Sequence, residues 1–222
     1  MKTELLPFTR DQFLAVFATY NEAIWPLQII AYLIGSGILV LLYWRSPQSG
    51  RLITAGLALM WIWTGIAYHV VFFSAINAAA YGFGAIFVIE ALLLIYYGAI
   101  RSTLQFAVPT TAPGWIGATL AIYSTLLYPL IGTWTGHQYP ALPMFGITPC
   151  PVTLFTLGML LLTTSRIPIL LLVVPLIWSL IGGSAAYILS IAQDWVLLLS
   201  GVVVVPLLVL RDRRRVQGEI KN

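Results

Sequence analysis

Seven apolar runs, at residues 24–44, 52–73, 78–100, 115–134, 151–165, 168–189 and 195–210, occupy most of this chain. A helix needs about 20 apolar residues to cross the hydrocarbon core of a bilayer, and five of the runs have them. Charged residues make up 8% of the sequence and hydrophobic ones 60%, whereas soluble domains carry about a quarter charged residues. Water could not wet the exterior of a fold so composed, and lipid in place of water removes the conflict. The expected fold is therefore an all-α integral membrane protein, a bundle of about seven transmembrane helices with a short N-terminal amphipathic helix. It forms one domain over residues 1–222, with the amphipathic helix at 9–21, the bundle at 24–210 and a basic cytoplasmic tail at 211–222. The run at 151–165 would reach only about 22 Å as a helix, so a re-entrant segment is a second reading of it. No cleavable signal is expected, because the first apolar run follows Arg10, Asp11 and Glu22 and exceeds a signal core.

Basic residues give the orientation. Alternating spans place Arg45, Arg51, Arg101, Arg166, Arg211, Arg213, Arg214, Arg215 and Lys221 on one side, and Lys2 and Arg10 on the other. That is 9 against 2 of the 11 Lys and Arg residues. Cytoplasmic loops carry the excess of Lys and Arg, so the C-terminus is expected in the cytoplasm and the N-terminus outside, in a bacterial inner membrane. The net charge of +4 thus reflects topology, and no nucleic-acid partner is implied. Lipid is the one partner that composition names.

Local signals refine the picture. Thr9 and Gln12 have the spacing of a capping box, with Phe8 and Phe13 as a hydrophobic staple, so a helix should start at Arg10. Phe13, Phe17 and Tyr20 share one face of it, and a break is expected between Asn21 and Pro26. Small residues at 35 and 37, 82 and 84, and 182–186 suit close helix packing in lipid. Pro175 and Pro206 interrupt apolar runs and should kink them. Trp25, Trp44, Trp115, Trp134 and Trp195 fall at run ends, where an interfacial aromatic belt sits, and Trp61, Trp63 and Trp178 fall inside.

The topology sorts polar chemistry onto the outer side: Asn21, Glu22, His69, Asn77, His137, Gln138, Tyr139, Cys150, Gln193 and Asp194. Both histidines and the single cysteine are in that set, and one cysteine allows no internal disulfide. The loop at 136–151, GHQYPALPMFGITPCP, has four prolines that stiffen it; it reads as a ligand-binding wall or lid, or as a plug over the bundle. His69, His137 and Cys150 form a candidate metal triad for zinc or copper, although their spacing matches no ligand motif. Two histidines could also hold a haem, and hydrogen-bonded structural histidines are the plainer reading. Glu90 lies near mid-depth, where an acid needs a partner or a pathway role; Tyr68 and Thr64 are the partners within reach. Asp194 precedes the last run, as a helix cap or as the acid that orients an imidazole. The candidate ligand or ion pathway is Glu90, His69, His137, Asp194, Tyr68, Asn77 and Tyr139. No catalytic residue, cofactor or oligomeric state follows from the sequence.

Other heptahelical functions fall away. A retinal protein needs a lysine in its last helix, and the lysines here are Lys2 and Lys221. Ceramidase-like zinc hydrolases use three histidines, and metal carriers use paired cysteines. Phosphate-binding loops and nucleophile elbows are missing, which argues against an enzyme. The leading expectation is small-solute or ion binding or transport, at a site open to the extracytoplasmic side. A metal- or haem-dependent membrane enzyme or redox subunit, and a non-catalytic assembly protein, are the alternatives.

The strings LPFTRDQFLAVFATYNEAIWP, YHVVFFSAINAAAYGFGAIFVIEALLL, GHQYPALPMFGITPCPVTLFTLGMLLL and PLIWSLIGGSAAYILSIAQD cover most of the chain. Together they resemble a family of uncharacterised bacterial inner-membrane proteins, known only as a domain of unknown function. The resemblance implies a polytopic membrane location and brings no activity or site residue.

Overall fold

The computed structural model describes residues 6–221, with side chains through Arg214. Lys2, counted above for orientation, lies outside the described residues, as do the side chains of Arg215 and Lys221. The helices are α1 (Arg10–Ala23), α2 (Leu27–Leu41), α3 (Pro47–Ala75), α4 (Ala80–Ile100), α5 (Ala112–Trp134), α6 (Pro149–Leu161), α7 (Leu170–Ile188) and α8 (Trp195–Lys221). Among the described residues the one extended pairing is a bridge between Phe106 and Thr163.

Among the described residues five helices are long and apolar enough to cross a membrane: α3, α4, α5, α7 and the 192–214 stretch that contains most of α8. The expectation of about seven spans is thus met only in part. The difference lies in α2 and α6, whose 15 and 13 residues would reach about 22 and 20 Å, short of a hydrocarbon core of about 30 Å. Counting α1 and α2 as one broken span gives six, and the two meet at 87°. Their junction lies at Ile24–Pro26, because proline offers no amide to continue the ladder of α1.

Contacts between helices show the chain running back and forth between two ends. At one end Arg51 donates to Ser102, and Arg211 donates to Thr163 and its carbonyl. The opposite end gathers α1, the 136–148 loop and the turn before α8, since Asn21 donates to the carbonyls of Pro140 and Leu142. Arginine-bearing loops therefore share an end, and the histidine loop lies at the other.

Every residue of α6 is buried, so it is the axis of the bundle and not a wall of it. Its entire circumference touches protein, which explains why its sequence shows no polar face. Its closest neighbour is α5, at a crossing where Gly117 and Gly158 face each other. A Cβ on Gly117 would stand 2.6 Å from the Gly158 carbonyl oxygen, and one on Gly158 2.8 Å from the Gly117 carbonyl oxygen. Only glycine permits that approach, which brings dispersion contacts that replace the missing hydrophobic force between helices in lipid.

The outside of the bundle is oily, with Leu33, Val71, Leu92, Leu126 and Val202 all exposed. Trp25, Trp44, Trp115, Trp134 and Trp195 are exposed as well, whereas Trp61 and Trp178 are buried. Trp61 donates from Nε1 to Thr156 of α6 at 2.8 Å, so its polar atom is satisfied inside the bundle. The architecture is an all-helical assembly compatible with a helical membrane bundle.

Gly117→Val should lower the melting temperature in detergent sharply, by an overpacking cost of about 1–3 kcal/mol. Gly37→Ala, where an added Cβ meets nothing within 4 Å, should leave it unchanged or slightly higher. Circular-dichroism melts of the two purified variants check the contrast.

Candidate functional site

The end where α1 meets the 136–148 loop also holds a cavity of about 130 Å³. Its position follows from how α1 is built and held. Thr9 and Gln12 close a capping box around the start of α1, and Phe8 stacks on Phe13 with ring centroids 5.8 Å apart. The helix thus starts with its Phe13–Phe17–Tyr20 face set against the bundle, and Phe17 stacks on Tyr68 at 5.3 Å. Tyr20 accepts from Trp63 Nε1 and donates to the Ile147 carbonyl. The amphipathic helix is therefore docked across the bundle mouth, with Val16, Phe17, Tyr20 and Asn21 buried.

The proline-rich loop is tied to α1 at three places. Besides Tyr20, Asn21 Nδ2 donates to Pro140 and Leu142 at 2.7 Å each, and Gln28 in turn donates to the Asn21 carbonyl. At the third, Arg10 Nη2 lies 2.8 Å from His137 Nε2. A guanidinium only donates, so Nε2 accepts and the imidazole proton sits on Nδ1. Nδ1 points at Thr135 Oγ1, 3.4 Å away, and Thr135 donates onward to the Ile131 carbonyl. Burial pushes the His137 pKa below its ordinary value, and the neighbouring Arg10 charge pushes it the same way.

The polar floor of the cavity is formed by Asp194, Gln193, Tyr128, Cys150 and Trp178. Asp194 ends a short 3-10 turn before α8 and is 2% exposed. Its carboxylate accepts from the Tyr128 hydroxyl at 2.5 Å, and the Cys150 thiol stands near it. The side-chain amide of Gln193 has no partner at either atom among the described residues, and neither does the indole N–H of Trp178. Around this floor the walls are rings and aliphatic side chains, chiefly Phe13, Phe17, Tyr68, Phe73, Phe83 and Ile188. Buried polar atoms nearly always have a partner, so unpartnered donors and acceptors on residues that line a cavity mark a place for a ligand or for water.

The residues singled out in the sequence are not all gathered here. Tyr68, Asn77, His137, Cys150 and Asp194 line the cavity. Asn77 spends its side-chain oxygen on the Ala79 amide at the start of α4. Tyr139 is half exposed on the outer loop and does not line the cavity. His69 is fully buried in a ring cage, 4.7 Å from Phe87 and 4.9 Å from Trp178 between centroids, and neither nitrogen has a hydrogen-bond partner among the described residues. Glu90 is fully buried too and lies off the cavity lining, and neither carboxyl oxygen has a partner among the described residues. Of the two readings of Glu90, the one with a hydrogen bond to Tyr68, Thr64 or a backbone carbonyl is not seen among the described residues. Asp194 stands directly before α8, as expected, and its carboxylate meets Tyr128, with Cys150 near it. Among the described residues no three His, Cys, Asp or Glu side chains stand close enough to hold a metal, so His69, His137 and Cys150 do not assemble as a triad.

Sequence reasoning missed Tyr128 and treated Trp178 only as an interior tryptophan. A stretch of π-helix at Tyr123–Leu127 widens α5 just before Tyr128, and another at Thr64–Phe72 carries Tyr68 and His69. Such wide turns rotate the residues that follow them, and they recur at functional sites. No sequence signal marks them.

Protonation of His137 is disfavoured in the folded state relative to the unfolded one. The unfolded chain therefore binds more protons below its pKa of about 6.5, and stability should fall as pH drops through and below that value. His137→Gln should flatten the dependence of melting temperature on pH between about 6.5 and 5. An unchanged slope in that window would rule out this imidazole as its source.

Neither a curated protein nor a solved structure matches the chain. A model of a family of unknown function, DUF6064, matches residues 10–219, and the chain belongs to that family.

Proposed function

We propose that this chain is a multi-pass membrane protein that binds a small, mainly apolar solute at the extracytoplasmic face of a bacterial inner membrane. The single observation that carries the reading is the cavity beneath α1, where aromatic walls surround a floor with an acid and unpartnered amide and indole groups. Concave, mostly apolar sites with a few convergent polar groups are where small molecules bind. An engineered cavity of about 150 Å³ holds benzene, so the volume of about 130 Å³ suits a solute near that size.

Orientation is part of the proposal. Arg51, Arg211 and their loops share the end opposite the cavity, and the positive-inside rule assigns such an end to the cytoplasm. The cavity then opens outward, with α1 as its cover. The clamps of α1 on the loop are side-chain hydrogen bonds that can break singly, which suits a cover that has to admit a solute.

Melting of the purified protein with toluene as the probe tests the site. Saturating probe should raise stability, by about 2.7 kcal/mol at a hundredfold excess over Kd. Ala185→Phe, which places a ring in the cavity lining, should melt like the wild type without probe and lose the shift. Equal shifts in both proteins would remove the cavity as the site. Reporter fusions after Arg214 and in the 136–148 loop test the orientation, and a periplasmic tail would reverse it.

A further inference from the structure

We infer that the solute carries a positive charge, and that the cavity takes a small alkyl- or arylalkyl-ammonium whose head group pairs with Asp194. The inference rests on the binding reading above and adds the ligand class. Asp194 lies in the floor, 2% exposed, and its carboxylate accepts from the Tyr128 hydroxyl, with the Cys150 thiol near it. That pattern treats the carboxylate as an acceptor. No cation pairs with it among the described residues. The basic side chain at this end, Arg10, is committed 2.8 Å from His137. A buried carboxylate with a donor but without a counter-ion is an incomplete pair, and an apolar molecule entering the cavity would not complete it.

The walls favour the same ligand class. Tyr68, Phe73, Phe83 and Trp178 put rings around the space that adjoins the carboxylate, and ring faces attract ammonium groups more strongly when water is excluded. Anionic ligands would meet both the carboxylate and the negative ring faces. Gln193, with its side-chain oxygen unpartnered, offers a further acceptor for an ammonium proton. The cavity volume limits the apolar body to about one ring or a short chain.

The experiment compares benzylamine, benzyl alcohol and toluene on the purified full-length protein at neutral pH, by melting shift and calorimetric titration. Benzylamine should bind at least about tenfold more tightly than benzyl alcohol, the neutral analogue of equal size. Asp194→Asn should erase that preference while toluene still binds. Tyr128→Phe removes a donor that competes for the carboxylate and should keep or widen the preference. Equal affinity for the three probes in the wild type would overturn the charge assignment and leave the cavity as a binding site. Binding of none of them would overturn the binding reading itself. If neither variant folds, the wild-type ratio of amine to alcohol decides alone.

Discussion

The bundle depends on burying a short helix on all sides. With each of its residues from Pro149 to Leu161 covered, α6 contributes no exterior and needs no polar face. Its neighbours reach it through glycine at the α5 crossing and through the Trp61–Thr156 bond from α3. Because α6 is too short to run the full length of the bundle, the chain before it must fill the remaining depth. The 142–148 segment does so, with Phe145 fully buried and its ring against Phe155 at 5.0 Å between centroids. A non-helical stretch at that depth is tolerated only when protein surrounds it and satisfies its backbone. Tyr20 and Asn21 supply those hydrogen bonds to the carbonyls of Ile147, Leu142 and Pro140.

The same requirement creates the site. Since α1 must lie across the mouth to serve the loop carbonyls, its aromatic face becomes one wall of the space below. The loop delivers Cys150 to the floor as it enters α6, and the turn before α8 delivers Asp194 to meet it. Tyr128 arrives from α5 after a wide π turn. Each element has a structural reason for its place, and their convergence leaves an acid, an amide and an indole around a cavity with rings on its other sides. His69 and Glu90 are buried deeper, away from that lining, and have no hydrogen-bond partners among the described residues.

Much of the framework was legible from residues alone. Thr9 and Gln12 announced the start of α1 and Pro26 the place where α2 departs from it, because capping and missing amides act within a turn of the helix. The five tryptophans at run ends are the exposed ones, since the run ends are also the helix ends. The Arg51 and Arg211 loops lie at the end opposite the His137 loop, which follows from alternation of direction at each turn. Span count was read less well: apolar content cannot tell a helix that faces lipid from α6, which faces protein, as both are apolar on all sides.

Partners across the bundle were not legible. Asp194 stands just before α8, where a cap was expected, and its carboxylate meets Tyr128; Glu90, read either as hydrogen-bonded or as part of a pathway, has no partner among the described residues. The sequence by itself determined an oily helical chain, the start of α1, the break before α2 and the end that the His137 loop shares with α1. Only the tertiary structure decided that α6 is the axis, that α1 lies across the mouth and which side chains surround the cavity. The reason is one of range. Hydropathy, capping and charge act along a few residues of chain, whereas the meeting of residues 128, 150 and 194 depends on helix rotation, and a π turn changes that rotation without leaving a mark in composition.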